Sequence, residues 1–262
     1  MWSKAKSNST DGQLQKTMYQ PDPTFPPLLR GEGIEGTPGP FDRACADAAV
    51  GEAGAGSIYW DRSTSDCRLA IVLEPEIPAA QSLQMLFVLM VAFGDAFGAI
   101  GPPEVGIFYR WPMGFVVNDA LIGWTGAALP SSITAEDVPD WLVVGLDIRI
   151  SRTDHDAEPG HELHNTTLED EGGGDITRTE LVESISRHFL VWAHNWSEDG
   201  FKPVHDAWLP RSENLKKEIT VSHGGADHSG LFLGIDDRGN MLLKPDEGEV
   251  ISLSLFDIVK RI

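Results

Sequence analysis

Few residues of this sequence combine the type and the spacing that catalysis or metal binding requires. His161 and His164 have His155 nearby, but their spacing is loose and they fall in an acidic, glycine-rich loop, so we predict no metal site. The serines and histidines do not form the strand–turn–helix motif that exposes a catalytic serine. Two arginines, Arg62 and Arg110, could hold an anionic ligand, although arginines are more often solvated than ligand-bound.

Tryptophan and glycine residues supply a second group of candidates. Trp111 precedes Pro112, and a tryptophan in such a segment packs into a domain core more often than it contacts a ligand. Gly123, Gly126 and Gly145 lie in strand-forming segments, where glycine either permits close strand packing or leaves room for a ligand. Both interpretations stay open for these residues.

The composition narrows the classes of partner. The 262 residues include 20 Lys and Arg against 40 Asp and Glu, which gives a formal net charge of -20. Binding to nucleic-acid phosphates needs a basic surface, so we predict no nucleic-acid partner. The hydrophobic content of 41% is enough for one substantial core and a small second domain.

The sequence predicts neither secretion nor membrane insertion. The first residues are polar and lack the apolar region of a signal peptide. The apolar run LQMLFVLMVAF at 83–93 is too short to span a bilayer and indicates a buried helix. Cys45 and Cys67 form neither a CxxC pair nor a disulfide framework, which favours a reducing, cytoplasmic location.

The chain divides into three predicted parts. Residues 1–40 are rich in turn-forming residues and are expected to be an irregular tail. Residues 41–212 combine a helix that begins near Pro40, the β-rich segments SIYW and CRLAIVLE, an apolar helix from Pro78 and a strand-rich block. Residues 213–262 contain short strands separated by turns, which is typical of a small barrel. The predicted fold class is α/β (α+β), with a mixed or antiparallel sheet, helices and a C-terminal β-barrel.

Local motifs refine the central part. The Asn118-Asp119 pair between two apolar runs predicts a tight hairpin. Residues 155–175 are acidic and glycine-rich, so we expect a mobile loop there. Thr177 and Glu180 have the spacing of a capping box, and the apolar residues behind them recur at helical intervals.

The order and spacing of these elements resemble those of the biotin and lipoate protein ligases. The central segment of that family reads Lys-Trp-Pro-Asn-Asp, a hydrophobic strand, a hairpin, and then a lysine followed by Gly-Gly. The corresponding stretch here is RWPMGFVVNDALIG, from Arg110 to Gly123. The segment SGLFLGIDDRGNMLLK is similar to the signature of the family's C-terminal barrel. The resemblance covers roughly residues 40–262, and it extends to a group of bacterial homologues that keep this layout without the ligase motifs.

The resemblance implies a class II synthetase-like catalytic domain followed by an SH3-like barrel. It also implies an activity, in which the carboxylate of biotin or lipoate is joined to AMP from ATP and the acyl group is then passed to a lysine of a carrier domain. The family grips the nucleotide with an arginine- and glycine-rich loop after its first strand. Two placements of that loop are open here: GEAGAGSIYW stands for the loop, or SIYW is the first strand and the loop has shrunk to DRSTSD. The second is favoured because SIYW is rich in strand-forming residues.

The residues that this chemistry needs are largely replaced. The position of the family's lysine falls on Leu121, and the Asn-Asp pair after Trp-Pro is Met113-Gly114. In the later Gly-x-x-Ile-Asn strand, which begins here at Gly145, the asparagine becomes Arg149. Losing one preorganised donor typically costs about a hundred- to a thousand-fold in rate, so adenylation by the family mechanism is not expected.

Two functions follow from this combination of layout and lost residues. The first is a catalytically degenerate binding or accessory protein, whose partner is a small acyl ligand such as biotin or lipoate, a biotinyl or lipoyl carrier domain, or an enzyme subunit. The second is an active ATP-dependent ligase in which Arg110 or Arg62 has taken over the catalytic charge. We favour the first function and predict no catalytic residue. The expected ligand-binding residues are Arg62, Arg110, Trp111, Asn118, Leu121, Gly123, Gly126, Gly145 and Asp147.

Overall fold

Two β-sheets organise the part of the chain that the computed structural model describes, residues 20–152 and 164–262. The strands are β1 (Arg30–Ile34), β2 (Ser57–Asp61), β3 (Cys67–Leu73), β4 (Phe108–Arg110), β5 (Gly114–Val117), β6 (Ala120–Leu129), β7 (Leu142–Ile148), β8 (Glu218–His223), β9 (Ala226–Ile235), β10 (Met241–Lys244), β11 (Ile251–Leu253) and β12 (Lys260–Arg261). The helices are α1 (Pro40–Ala49), α2 (Ala79–Ser82), α3 (Met85–Ile100), α4 (Arg178–Asp199) and α5 (Lys202–Trp208), and a 3-10 turn follows at Leu209–Arg211.

The larger sheet has eight strands within the described residues, in the order β1-β2-β3-β7-β6-β5-β4, with the short β12 beside β6. Neighbouring strands are antiparallel along the series β2-β3-β7-β6-β5-β4. The two remaining pairs, β1 with β2 and β12 with β6, are parallel. The smaller sheet is antiparallel, in the order β11-β10-β9-β8. This mixed architecture with a separate C-terminal antiparallel sheet confirms the predicted fold class.

Side-chain alternation gives the larger sheet two different faces. In β3, Cys67, Leu69 and Ile71 belong to a large core that also contains residues of α3 and α4. Ala70 and Val72 belong to a smaller core that also contains residues of α1. Successive side chains of a strand point to opposite faces, so the neighbouring strands alternate in the same way. The helix α1 has ten residues and covers only part of its face.

The apolar run at 83–93 forms the centre of the large core, as predicted. All residues of α3 from Met85 to Gly94 are buried. By length and composition the helical segment Ala79–Ile100 could cross a membrane, but 78% of its most apolar window is buried inside the protein. A core helix passes the same test, and this one packs against α4 and the large sheet.

Two turns agree with the sequence-based expectations. Asn118 and Asp119 have positive φ angles of 49° and 67°, which is the geometry of a two-residue hairpin between β5 and β6. SIYW and CRLAIVLE begin the antiparallel strands β2 and β3. The turn between these strands, residues 62–66, is consistent with the favoured placement of the loop, in which SIYW is the first strand.

The tail predicted as irregular over residues 1–40 is not irregular throughout. Residues 1–19 lie outside the described part of the chain, but residues 30–34 form β1, which pairs with β2. The strand RGEGI has Ile34 as its only apolar residue, so hydrophobic periodicity could not reveal it. Backbone pairing at the sheet edge, rather than burial of side chains, makes this segment a strand.

The C-terminal part predicted at 213–262 forms its own sheet, but its last residues leave it. The strands from β8 to β11 pair only with one another. Lys260 and Arg261 return to the larger sheet, where they pair with Ala128 and Leu129. Two residues are too few to carry a strand pattern, so this return could not be predicted from local periodicity.

The second half of the acidic loop predicted at 155–175 is anchored to the larger sheet. Residues 153–163, which include two of the three histidines considered above, lie outside the described residues. The His164 carbonyl accepts a hydrogen bond from the Leu121 N–H at 2.8 Å, and the Thr166 N–H donates to the Leu121 carbonyl at 2.8 Å. In the part of the chain that the structure describes, no three His, Cys, Asp or Glu side chains are grouped to hold a metal ion.

Gly123 and Gly126, both on β6, offer a matched test of the strand register. A Cβ on Gly123 would lie 2.1 Å from the Asp147 carbonyl oxygen, whereas a Cβ on Gly126 would meet nothing nearer than the Phe41 ring at 3.8 Å. We expect Gly123→Ala to lower the free energy of unfolding by about 1–3 kcal/mol, because backbone must move to make room. Gly126→Ala should change it by less than about 0.5 kcal/mol. Urea unfolding measures both, and equal losses would contradict this register.

Candidate functional site

A cavity of about 560 Å³ opens on the face of the larger sheet that α1 only partly covers. Strands β3, β7 and β6 form its floor, and residues 36–42, which lead into α1, form part of its rim. Small-molecule sites usually have volumes of about 300–1,000 Å³. Aromatic, glycine and charged residues converge in this cavity, which makes it the candidate site.

One row of side chains crosses four neighbouring strands in the cavity. Arg68 on β3 pairs in register with Asp147 on β7, and Asp147 pairs with Trp124 on β6. Asp61, at the end of β2, places its Oδ2 atom 3.6 Å from Arg68 Nη1. From β2 to β6, the row therefore consists of a carboxylate, a guanidinium group, a second carboxylate and an indole.

The next row forms a floor of small residues. Ala70, Gly145 and Gly126 are in register on β3, β7 and β6. Phe41, from the first turn of α1, lies over this floor, and a Cβ on Gly145 would come within 2.7 Å of its ring carbon Cδ2. Glycine at this position therefore lets the aromatic ring approach the sheet.

Arg68 is surrounded by carboxylates. Its Nη1 and Nη2 atoms contact Asp61 and Asp66 at 3.6 and 3.4 Å, and its Nε atom lies 3.0 Å from Asp147 Oδ2. The Nε contact is an ion pair without hydrogen-bond geometry, and the Nε atom is buried. Each nitrogen of the guanidinium group thus faces a protein carboxylate, and 41% of the Arg68 side chain is exposed.

The cavity consequently carries more negative than positive charge. Its charged lining consists of Arg68 and three aspartates, of which Asp42 is paired with Lys260 at 2.8 Å. Asp66, which lies behind the lining, is buried, and burial raises its pKa even though the Ile150 N–H donates to it at 3.1 Å. Among the described residues that line the cavity, Arg68 is the only cation.

Hydrogen bonds from neighbouring side chains hold the turn at residues 62–66 in place. Asp61 Oδ1 accepts hydrogen bonds from the N–H and the hydroxyl of Ser63 at 2.8 and 2.6 Å. The buried Arg178 donates to the carbonyls of Arg62 and Thr64 at 3.1 and 2.6 Å. A turn held at both ends in this way lacks the freedom of a loop that closes over a ligand.

The two arginines proposed from the sequence make contacts outside the cavity. Arg62 forms a bidentate pair with Asp22, and its guanidinium lies 5.2 Å from the centroid of the Trp60 ring. Arg110 forms a bidentate pair with Glu213 at 2.5 and 2.8 Å. Both arginines are therefore engaged by protein side chains, and neither lines the cavity.

Trp111 and Asn118, also expected to bind ligand, make contacts within the protein. The Trp111 indole is buried and donates to the Gly239 carbonyl, in the turn between β9 and β10, at 2.9 Å. Asn118 lies at the tip of the hairpin and donates to Glu171 at 2.6 Å. Of the nine expected residues, Gly126, Gly145 and Asp147 line the cavity, and Arg62, Arg110, Trp111, Asn118, Leu121 and Gly123 do not.

The cavity residues that sequence reasoning missed include Phe41, Asp61, Arg68 and Trp124. A usable signal existed for Arg68, because it is the one charged residue inside the apolar strand CRLAIVL. Charged side chains in a buried strand are rarely left unpaired, so carboxylates from neighbouring strands were to be expected. The sequence does not say which carboxylates these are, because that depends on strand order.

Comparison with known proteins gives two family matches. Residues 25–210 match the model of the biotin/lipoate A/B protein ligase family, and residues 215–261 match the biotin protein ligase C-terminal domain. The biotin--[acetyl-CoA-carboxylase] ligase of Paracoccus denitrificans is 26% identical over 193 residues, which is 73% of this chain and 79% of that protein.

Solved structures show the same fold. A biotin protein ligase-like protein of unknown function from Silicibacter sp. TM1040 has a TM-score of 0.81 and 35% identity, covering 91% of this chain and 99% of that one. The biotin protein ligase of Aquifex aeolicus in complex with biotin and ATP has a TM-score of 0.69 at 16% identity, covering 87% and 97%. At that identity the second likeness concerns the fold alone.

Removal of Arg68 tests whether it balances buried charge. We expect Arg68→Gln to lower the free energy of unfolding near neutral pH by about 2–4 kcal/mol, because Asp61 and Asp66 stay buried without their cation. Arg187→Gln, which removes an exposed helical ion pair with Glu183, is the control and should cost less than about 0.5 kcal/mol.

The loss in Arg68→Gln should depend on pH. Burial already raises the pKa of Asp66, and loss of the arginine raises it further, so the stability present below about pH 4 is lost as pH rises through the folded pKa. The difference from the unsubstituted protein should therefore be smallest in acid. Unfolding curves at several pH values check this, and a loss independent of pH would contradict the charge assignment.

Proposed function

The chain belongs to the biotin/lipoate A/B protein ligase family, and we propose that within this family it is a binding or accessory protein that does not adenylate its ligand. The observation that carries the proposal is the charge of the cavity. Its only cation among the described lining residues, Arg68, is taken up by Asp61, Asp66 and Asp147. A site of this kind offers an anionic reactant only one cation, which already faces three carboxylates.

The chemistry of adenylation explains why this matters. A carboxylate oxygen must attack the α-phosphorus of ATP while pyrophosphate leaves, so several negative charges meet in one site. Preorganised donors and cations are needed where that charge develops. Leu121 stands at the lysine position that the resemblance implies, and the turn at 62–66 replaces the nucleotide-binding loop. Both features support a member of the family without adenylation.

The alternative, an active ligase with a relocated catalytic arginine, has less support. Arg110 would have to leave the Glu213 carboxylate, and Arg62 would have to leave Asp22 and the face of Trp60. Breaking such pairs leaves a carboxylate without its partner, which is most costly for the half-buried Arg110–Glu213 pair. No contact around either arginine favours a catalytic role over the structural one.

The partner in this proposal is a small ligand in the cavity, a biotinyl or lipoyl carrier domain, or an enzyme subunit. Two of the proteins named above are ligases, one of them named for acetyl-CoA carboxylase and the other solved with biotin and ATP, whereas the Silicibacter protein is of unknown function. The net charge of -20 disfavours an acidic carrier unless it docks on a local basic patch. Two free cysteines, both buried, support the cytoplasmic location that we propose.

A pyrophosphate-release assay tests the proposal directly. With biotin, ATP, magnesium and a carrier domain, we expect a rate at least about a thousand-fold below that of the Paracoccus denitrificans ligase assayed in parallel, because several donors are missing together. Omitting biotin controls for nucleotide hydrolysis that is unrelated to ligation. A biotin-dependent rate close to that of the relative would refute the proposal.

Restoring the lysine alone should not restore the ligase. In Leu121→Lys, one cation is added at a position outside the lining of the cavity, while the aspartates and the closed turn at 62–66 remain. We expect no transfer of biotin to a carrier protein and a melting temperature no higher than that of the control, Leu121→Met. Carrier biotinylation by the single variant would mean that the rest of the ligase site is intact.

A further inference from the structure

The charge and shape of the cavity point to one class of ligand. We propose that it binds a small organic cation, an ammonium group on a short aromatic or apolar body, in preference to a free carboxylic acid. This inference rests on the proposed function, because an adenylating site would have to admit both a carboxylate and phosphates. It narrows that function by naming the charge of the ligand.

The carboxylates supply the first part of the argument. Asp147 is the accessible one, with 37% of its side chain exposed, and it points into the cavity between Arg68 and Trp124. Among the described charged residues that line the cavity, Asp61 and Asp147 face the one cation, Arg68, and Asp42 is paired with Lys260, so the lining carries an excess of one negative charge. An entering carboxylate would meet this excess charge beside a low-dielectric wall, where repulsion is strong. An entering ammonium would be attracted by it.

The indole of Trp124 supplies the second part. Its side chain is 56% exposed, although it lines the cavity and stands next to Asp147 across the strand pair. The face of an exposed indole attracts a cation, and tryptophan is the aromatic residue that does so best. A carboxylate and an indole on adjacent strands lie close enough for one ammonium group to contact both.

The floor of the cavity supplies space for the body of the ligand. A Cβ on Gly126 would have open space around it except for the Phe41 ring at 3.8 Å. The ring of Phe41 and the glycines Gly126 and Gly145 therefore form an apolar surface beside the row of charged side chains that contains Asp147. A flat or short aliphatic group can lie there while its ammonium reaches Asp147 and Trp124.

Three probes of matched shape test this proposal: phenethylamine as the cation, hydrocinnamate as the anion and hydrocinnamamide as the neutral compound. Isothermal titration calorimetry on the full chain measures their affinities at low and high salt. We expect the amine to bind at least about tenfold more tightly than the acid, with the amide between them, and the difference to shrink in salt.

Two substitutions test whether the amine binds in this cavity. Asp147→Asn should weaken amine binding by about tenfold, whereas the control Asp246→Asn, which removes an equal charge from an exposed position, should leave it unchanged. Trp124→Ala should also weaken amine binding. Because the exposed indole contributes little to the core, this variant should fold even if Asp147→Asn does not, and it then provides the test.

The outcomes separate this inference from the proposed function. Binding of the acid as tight as that of the amine, or no binding of the amine at about 10 mM, would overturn the inference. Amine binding that neither Asp147→Asn nor Trp124→Ala weakens would overturn it as well. The proposed function fails only if the pyrophosphate assay shows biotin-dependent turnover, whatever the amine does.

Discussion

Arg68 lies within 4 Å of three carboxylates, and the character of the whole cavity depends on that arrangement. A guanidinium group in the middle of an apolar strand needs compensating charge, and Asp61, Asp66 and Asp147 supply it. Asp61 and Asp66 are buried, so water screens these contacts only weakly. The proposed function follows from this arrangement, because a cation that already faces three carboxylates attracts an anionic reactant less strongly.

The rest of the structure holds this cavity in place by contacts that need no ligand. Phe41 lies over the glycine floor, and the turn at 62–66 is held by Arg178. Two residues that were expected to bind ligand link the larger domain to segments beside the smaller sheet: Arg110 pairs with Glu213 before the first strand of that sheet, and Trp111 donates to the Gly239 carbonyl in the turn between two of its strands. Packing and the cavity thus use largely different side chains, so the fold does not depend on the residues of the site.

The fold could be predicted from the sequence to a large extent, and the site only in part. Periodicity and turn residues identified the buried helix, the Asn118-Asp119 hairpin and the short loop after SIYW, because these are local features. The edge strand at 30–34 and the return at 260–261 are determined by pairing with distant strands, which leaves no local pattern. The cavity was predicted only in part for the same reason, since Trp124 is far in sequence from Asp61 and Arg68 and joins them only through the strand order.

The central claim is that Arg68 is unavailable to an anionic ligand. The most direct measurement is the binding of a non-reactive sulfamoyl analogue of biotinyl-AMP, followed by the NMR signal of the Arg68 Nε–H in protein labelled at its arginines. The analogue combines the acyl chain and the nucleotide, so it needs no catalysis to report on the site. The account predicts no binding and an unchanged Arg68 signal at about 0.1 mM analogue. Submicromolar binding with a shifted Arg68 signal would show that the guanidinium leaves its carboxylates for an anion, and would contradict the account.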